Sequence, residues 1–465
     1  MTNRHIHILG VCGTAMAAIA ALAKSGGYRV TGSDAGVYPP MSDYLAELGV
    51  DIAPFSVANL DPVPDLCVIG NAMGRGNVEV ELILDRGLPY CSGPEFVGNH
   101  ILPGRHAVVV AGTHGKTTTA SIMAHVLEVA GKQPGFLIGG VPENFGGGAR
   151  RGEGEPFVLE GDEYDTAFFD KRSKFLHYHA RTLILNNLEY DHADIFPNLE
   201  AIKVQFHHLV RTVPARGTII ANADEEHVAD VLERGCWTPK TSFARYPHPT
   251  AQWQWEPLSE DGALFRIYRD GELWLESEWE MIGVHNAANA CAVAAAASSM
   301  DIERADIARA FESFSGIRRR MTLVGEAGGV KVFDDFAHHP TAITNMVTAA
   351  KAAMRRGGSE GRLWVIVEPR SNTMRTKVHQ DRLPLCFDAA DFVIFAEPSE
   401  RNLKQDEVLD AVAICRAIGG HASMIPTVEA IVSHVGKMAE PGDHLLVLSN
   451  GGFGGIHRKL LKVLA

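Results

Sequence analysis

Basic residues are outnumbered in this chain. Lys and Arg total 43 against 56 Asp and Glu, a formal net charge of −13, and no run of five or more basic residues occurs. Without a clustered basic face there is little to neutralise a phosphate backbone, so nucleic acid is not an expected partner. Cysteine is sparse too. The seven residues, at 12, 67, 91, 236, 291, 386 and 415, are odd in number and form no Cys-x-x-Cys pair. That scatter excludes a disulfide framework and a cysteine zinc site, and suits free thiols in a reducing compartment. Long apolar runs are missing. Only residues 6–23 approach one, and they are rich in Gly and Ala and run straight into Tyr28-Arg-Val-Thr-Gly-Ser-Asp34. No membrane partner is expected, and a cytoplasmic location is.

At 465 residues, 46% of them hydrophobic, the chain has material for about three domains. Strand-like His5-Ile-His-Ile-Leu-Gly10, helix-like residues 14–24, strand-like residues 29–34 and a later strand Asp65-Leu-Cys-Val-Ile-Gly70 alternate. Such alternation predicts a parallel sheet. The first turn, Gly10-Val11-Cys12-Gly13-Thr14-Ala15-Met16, lacks a glycine: Cys12 takes the second position of the dinucleotide pattern Gly-x-Gly-x-x-Gly. Asp34 closes the second strand about twenty residues later, where an acid meets a ribose. A nucleotide-sugar diphosphate therefore fits as well as a dinucleotide. Asn71-Ala-Met-Gly-Arg-Gly-Asn77, past a strand end, is a further candidate ligand loop.

A second glycine is missing from Val108-Val-Val-Ala-Gly-Thr-His-Gly-Lys-Thr-Thr-Thr119. The general phosphate-loop pattern wants one five residues before Gly115, where Val110 stands. The shorter loop Gly112-Thr113-His114-Gly115-Lys116-Thr117 still follows an apolar strand, and a helix is expected over residues 120–130. That order aims backbone N–H groups at a polyphosphate. Lys116 would reach the β- and γ-phosphates and Thr117 would offer its hydroxyl to Mg²⁺. Two acidic clusters follow. In Phe157-Val-Leu-Glu-Gly-Asp-Glu-Tyr-Asp165 a strand ends near Glu160, setting a carboxylate opposite the loop as a Mg²⁺ ligand must be. In Thr182-Leu-Ile-Leu-Asn-Asn-Leu-Glu-Tyr-Asp-His-Ala-Asp194 another strand delivers Glu189, Asp191 and His192. Singly, such clusters serve as caps and turns; two of them after a phosphate loop favour metal-assisted phosphate chemistry.

The glycine-rich residues 146–154 read as a mobile loop. Trp253, Trp255, Trp274 and Trp279 lie in alternating apolar and polar runs that predict a small antiparallel sheet. Gly283-Val-His-Asn-Ala-Ala-Asn289 leads into an alanine-rich helix expected over residues 290–298, and Asn286 and Asn289, three apart, share a helix face that suits an adenine edge or a cap. Gly316-Ile-Arg-Arg-Arg-Met321 reads as a hinge into a third unit, again alternating strand and helix. Its strand ends carry Phe336-Ala-His338-His339-Pro340, Pro369-Arg370-Ser371-Asn372-Thr-Met-Arg375 and Asn450-Gly-Gly-Phe-Gly-Gly455. Ligands of open α/β sheets bind outside such ends, and two basic loops beside a glycine loop favour an anionic one.

The ordered set G-T-H-G-K-T-T-T, E-x-D-E-x-D, N-x-E-x-D-H-x-D, G-x-H-N-x-x-N, R-R-R and D-D-F-A-H-H-P-T resembles the Mur ligases, ATP-dependent ligases acting on UDP-muramic acid. The likeness spans the whole chain. It implies an α/β fold of three domains: residues 1–100 Rossmann-like and UDP-sugar-binding, residues 101–318 a central phosphate-loop domain, and residues 319–465 Rossmann-like and peptide-binding. The loop after Val367, the stretch Tyr164-Asp-Thr-Ala-Phe-Phe-Asp-Lys-Arg-Ser-Lys174, the C-terminal loop at Ser449 and Ser33-Asp-Ala-Gly-Val-Tyr-Pro-Pro40 depart from the branch that adds L-alanine. They resemble the branch that joins ready-made L-Ala-γ-D-Glu-meso-diaminopimelate to UDP-N-acetylmuramate. The L-alanine ligase and a non-catalytic nucleotide-binding regulator are the alternatives.

By resemblance, Gly112 to Thr118, His285, Asn286, Asn289, Arg320 and Asp335 bind ATP. Asn286 and Asn289 face adenine, Asp335 the ribose and Arg320 the γ-phosphate. Thr117, Glu160 and His192 hold two Mg²⁺ ions. Gly10, Cys12 to Met16, Ser33, Asp34 and Asn71 hold the UDP-sugar. Arg370, Ser371, Asn372 and Arg375 meet the peptide carboxylates, with His338 and His339 nearby. Lys116, His192, Arg320, His338 and His339 are the implied catalytic set.

Overall fold

The structure is a computed structural model describing residues 4–37, 41–400 and 403–465; Tyr38, Pro39 and Pro40 of the motif that starts at Ser33 lie outside them. Among the described residues three large sheets follow one another along the chain, with a separate two-stranded ribbon within the span of the second. The first has five parallel strands in the order Asp51–Ala53, Arg29–Ser33, His5–Leu9, Leu66–Ile69, Tyr90–Ser92. Its order reverses at His5–Leu9, so the crevice of the switch point opens at the Gly10 turn.

The second sheet has ten strands. The phosphate-loop strand His106–Ala111, buried from Ala107 onward, lies between Pro156–Gly161 and Thr182–Leu185, all parallel. A continuously apolar strand is what a sheet covered on both faces requires. Thr218–Asn222, Lys240–Arg245 and Trp253–Pro257 extend it in parallel, and Leu264–Arg269 and Glu272–Glu278 close that edge antiparallel. The tryptophan-bearing strands Trp253–Pro257 and Glu272–Glu278 thus flank Leu264–Arg269 antiparallel as expected, but Trp253–Pro257 also pairs parallel with Lys240–Arg245, so they continue the central sheet instead of standing apart from it. The glycine-rich stretch is tied down where a mobile loop was expected. Ala149–Arg150 forms an edge strand, and Arg150 pairs with Glu128 at 2.5 Å.

Helix Lys116–Val129 starts four residues earlier than predicted, because Gly115 takes a left-handed φ of +76° and caps it. Helix Val284–Ser298 also begins early, so Asn286 and Asn289 sit in its first turns. Its run of alanines lets it pack against Lys116–Val129 with little between them. The third sheet runs Thr322–Ala327, Val330–Asp335, His444–Leu448, Leu363–Val367, Phe392–Phe395, Ala422–Met424, parallel except for its first strand. Between the second and third sheets the chain bends through Gly316, Arg319 and Met321 at φ of +83°, +62° and +52°. Non-glycine residues in that region are uncommon. Asp335 holds the bend, its two oxygens accepting from the N–H groups of Met321 and Ala337, each at 2.8 Å. No described helix is long and apolar enough to cross a membrane.

Candidate active site

The phosphate loop rests on the end of the neighbouring strand. Asn187 accepts from the N–H of His114 at 2.8 Å through its side chain and from that of Thr113 at 3.2 Å through its carbonyl. Behind the loop, a Cβ on Gly115 would lie 3.0 Å from the Asn289 side chain. Lys116, buried, donates to the Gly112 carbonyl at 2.7 Å and to Glu163 at 2.8 Å. The other Glu163 oxygen stands 3.4 Å from Nε2 of His192. Burial works against both charges, yet Glu163 and Asp162 hold the Lys116 ammonium above its usual range. Lys116 and His192 bring Glu163 down to about 2 against its own burial. His192 adopts a left-handed φ of +53°, a strained setting of the kind that collects at functional sites.

Thr117 donates to one oxygen of Glu160 at 2.6 Å, and the N–H of Gly139 meets the other at 2.7 Å. Burial and then Asp162 push the Glu160 carboxyl upward. A hydroxyl and a half-buried carboxylate, whose desolvation outweighs the help of Lys116, make a hard-oxygen donor set that fits Mg²⁺.

Next to the loop a cavity of about 860 Å³ runs between the second and third sheets, a size suited to a nucleotide. His114, Gly115, Thr118, His285, Asn286, Asn289, Arg320 and Asp335 all line it. The two asparagines are interlocked: Asn289 donates to Asn286 at 3.0 Å, Asn286 to the Ile282 carbonyl at 2.7 Å, and Asn186 to Asn289 at 3.3 Å. Their amides are engaged with each other and with the back of the loop, and neither caps the helix, which starts from Gly283 with no side-chain cap. Burial, Arg320 and His114 bring His285 down to about 4, so it faces the cavity neutral.

The loop that carries His192 is gripped by the third domain. Thr341 donates to Glu189 at 2.9 Å and Arg382 reaches it at 3.2 Å. The N–H of Ala193 donates to Thr373 at 3.2 Å, and Asn372 donates to Asp194 at 2.7 Å. Asn372 also accepts from Arg375 at 3.2 Å, and Ser371 accepts from the N–H of Met374. Arg370 lies on Gly451, where any Cβ would fall 2.4 Å from its guanidinium. His339 is packed between His114 and His379, with ring centroids at 4.3 and 4.6 Å. Burial, then His114 and His379, bring it down to about 3. His338 bonds the Phe336 carbonyl at 2.9 Å. A neutral buried imidazole at His339 supplies no positive charge to a carboxylate.

The other candidates gather at the first sheet. Gly10 (φ +76°) and Val11 donate to the Ser33 carbonyl at 2.8 and 3.2 Å, and the N–H of Cys12 donates to Asp34 at 2.9 Å. Gly13, Thr14 and Ala15 are exposed at the mouth of the turn, while Met16 is buried behind it. The Ser33 hydroxyl is turned away, donating to the buried Glu79 at 2.5 Å. Asn71 reaches across to the Asp165 carbonyl at 3.1 Å.

Sequence reasoning missed Glu163, Asn186 and Thr373. Glu163 had a signal, since it follows Glu160 by three residues in the same acidic run. Asn186 and Thr373 had none, because their partners lie 103 and 180 residues away.

Family models match almost the whole chain: the Mur ligase family catalytic domain over residues 5–104, the Mur ligase middle domain over 110–297, and the Mur ligase glutamate ligase domain over 319–451. The UDP-N-acetylmuramate–L-alanyl-γ-D-glutamyl-meso-2,6-diaminoheptandioate ligase of Escherichia coli (strain K12) is 47% identical over 99% of this chain and 98% of its own length. A UDP-N-acetylmuramate–L-alanine ligase from Acetivibrio thermocellus is 30% identical over 96% of this chain and 93% of its own. Among solved structures, a murein peptide ligase from Psychrobacter arcticus 273-4 has a TM-score of 0.76 at 42% identity, covering 99% of this chain and 98% of its own. Three matched domains in order, and full-length identity well above 30%, place this chain in the Mur ligase family.

Proposed function

We propose that this chain is an ATP-dependent ligase that joins L-Ala-γ-D-Glu-meso-diaminopimelate to UDP-N-acetylmuramate, returning a ready-made peptide to cell-wall synthesis. The observation that carries this reading is the full-length 47% identity to a ligase named for that peptide, against 30% to an alanine ligase. The geometry supports it. The Gly10 turn holds the UDP-sugar, the cavity holds ATP with its phosphates on the Gly112–Thr117 loop, and the Arg370–Arg375 loop receives the peptide.

The lactyl carboxylate attacks the γ-phosphorus, ADP leaves, and an acyl phosphate remains. The neutral peptide amine then attacks the acyl carbon, inorganic phosphate leaves with the C–O electron pair, and the proton lost from the amine ends on that phosphate. Negative charge builds in both steps, so fixed cations do much of the work. Lys116 moves from Glu163 onto the β- and γ-phosphates, and Arg320 meets the γ-phosphate from the third domain. Mg²⁺ would be held by Thr117 and Glu160, with His192 offered to a second ion once its Nε2 leaves Glu163, and would supply positive charge to the phosphate oxygens. Until then Glu163 keeps His192 in place.

The decisive experiment is an amine panel. Phosphate release is expected only when UDP-N-acetylmuramate, ATP, Mg²⁺ and the tripeptide are all present. If L-alanine supports turnover as well as the tripeptide does, the peptide assignment fails and the alanine-ligase reading replaces it. Glu160→Gln keeps an acceptor for Thr117 but removes the charge. It is expected to raise the Mg²⁺ concentration for half-maximal turnover by about 10- to 100-fold, the scale on which metal sites respond to lost support. A Mg²⁺ titration of the variant that overlays the wild type would remove Glu160 from the metal site.

A further inference from the structure

The stretch from Asp165 to Ser173, one of those that depart from the alanine-ligase pattern, has no part in the chemistry above. It forms a two-stranded ribbon, Asp165–Ala167 antiparallel to Asp170–Ser173, turning at Phe168 and Phe169. Two-residue hairpin turns favour Asn and Gly because the tight types need positive φ, and neither phenylalanine has it. These residues are not there to make the turn. Both rings pack on the apolar cluster of the first sheet around Leu9, Leu60 and Ile69, with Met73 at its rim. Phe169 meets Tyr90 edge-on, centroids 4.9 Å apart, a geometry aromatic pairs favour.

Each end of the ribbon lies against a ligand site. At the tip, Phe168 and Phe169 share their apolar cluster with Met73, which covers the Gly10 turn so closely that a Cβ on Gly10 would lie 3.2 Å from its methyl group. At the base Asp165 and Ser173 stand opposite each other: the Asp165 carbonyl accepts from Asn71, and the Ser173 hydroxyl donates to the carbonyl of Glu163, whose carboxylate holds both Lys116 and His192. The strands between are stiffened by Thr166 bonding the Arg172 carbonyl at 2.7 Å and by Asp170 pairing with Arg172 at 2.7 Å and His177 at 2.9 Å.

We propose that the ribbon is a strut that couples occupancy of the UDP-sugar turn to the arrangement of the phosphate loop, with Phe168 and Phe169 as positioning residues. This rests on the functional reading above. Filling the Gly10 turn fixes the first domain, the ribbon carries that position to Glu163, and Glu163 sets where Lys116 and His192 stand. Coupling of this kind is reciprocal: the nucleotide must tighten the UDP-sugar by the same factor.

The test measures affinity of the full-length chain for a non-hydrolysable ATP analogue, with and without saturating UDP-N-acetylmuramate, and then the converse. In the wild type each ligand is expected to tighten the other by about fivefold or more. In Phe168→Ala/Phe169→Ala that factor should fall to about one, with affinity for the analogue alone unchanged, while Phe168→Leu/Phe169→Leu should recover most of it. Coupling that survives the double alanine substitution overturns the strut, whatever happens to the melting temperature. So does a wild type that binds both ligands without coupling. A wild type that binds neither ligand overturns the functional reading first, and the strut with it.

Discussion

Lys116→Ala is expected to cut ligation by about 10³-fold or more, the scale set by losing a preorganised charge at a transferring phosphoryl group, and to lower stability as well. The two losses have different origins. Lys116 is the main neutralising partner of Glu163, whose side chain is 1% exposed and whose carboxyl is held down at about 2. Deleting the ammonium leaves a buried carboxylate with only His192, at 3.4 Å, to answer it. Breaking a buried pair in this way costs about 3–5 kcal/mol, because the remaining charge stays desolvated. The double variant Lys116→Met/Glu163→Gln removes both charges and keeps the volume, so its melting temperature should return toward the wild type while turnover stays lost. Single-turnover phosphate release and thermal unfolding separate the two effects. Unchanged turnover in Lys116→Ala removes the phosphate loop from the chemistry; an unchanged melting temperature removes the ion pair from the stability argument.

That double role illustrates what the sequence could and could not say. The apolar strand, the Gly112–Thr117 loop and the acid at Glu160 are all local signals, and each stands where its spacing indicated. Strand and helix alternation was legible for the same reason: periodicity is a property of neighbouring residues. Contacts between distant segments were not. Nothing near Lys116 announces that it is paired with Glu163, or that Glu189 is bonded by Thr341 and Arg382 from the third domain. The early start of helix Val284–Ser298 was hidden because alanine and asparagine carry little directional hydrophobic pattern. The ribbon was visible only as an unusual composition: Phe-Phe at a hairpin tip makes sense once the apolar cluster of another sheet is seen to receive it.

The arginine triplet at the hinge gives the second large prediction, because the three side chains are chemically identical and placed differently. Arg318 is 57% exposed and pairs with Glu143 at 3.2 Å; surface pairs of this kind contribute about 0–1 kcal/mol. Arg319 turns into the third domain, bonding Asp334 at 3.0 Å and the carbonyls of Ser449 and Gly451 at 2.7 and 2.8 Å. Arg320 lines the cavity, with Phe336 under its guanidinium at 5.2 Å and no hydrogen bond or ion pair from that group among the described residues. It is therefore the one of the three available to a phosphate. Arg320→Ala is expected to lower the rate of acyl-phosphate formation by about 10³-fold, the lower end of what an arginine supplied to a transferring phosphoryl group contributes, while ATP affinity shifts far less. Arg320→Lys should recover little, since a point charge cannot reproduce the planar fork. Arg319→Ala should instead cost about 1–3 kcal/mol of stability through three orphaned acceptors, and Arg318→Ala should be close to silent. Rapid-quench kinetics and thermal unfolding on the three variants decide the assignment. If the rate loss falls on Arg318 or Arg319 and spares Arg320, the γ-phosphate lies elsewhere and the hinge does not deliver this residue to it.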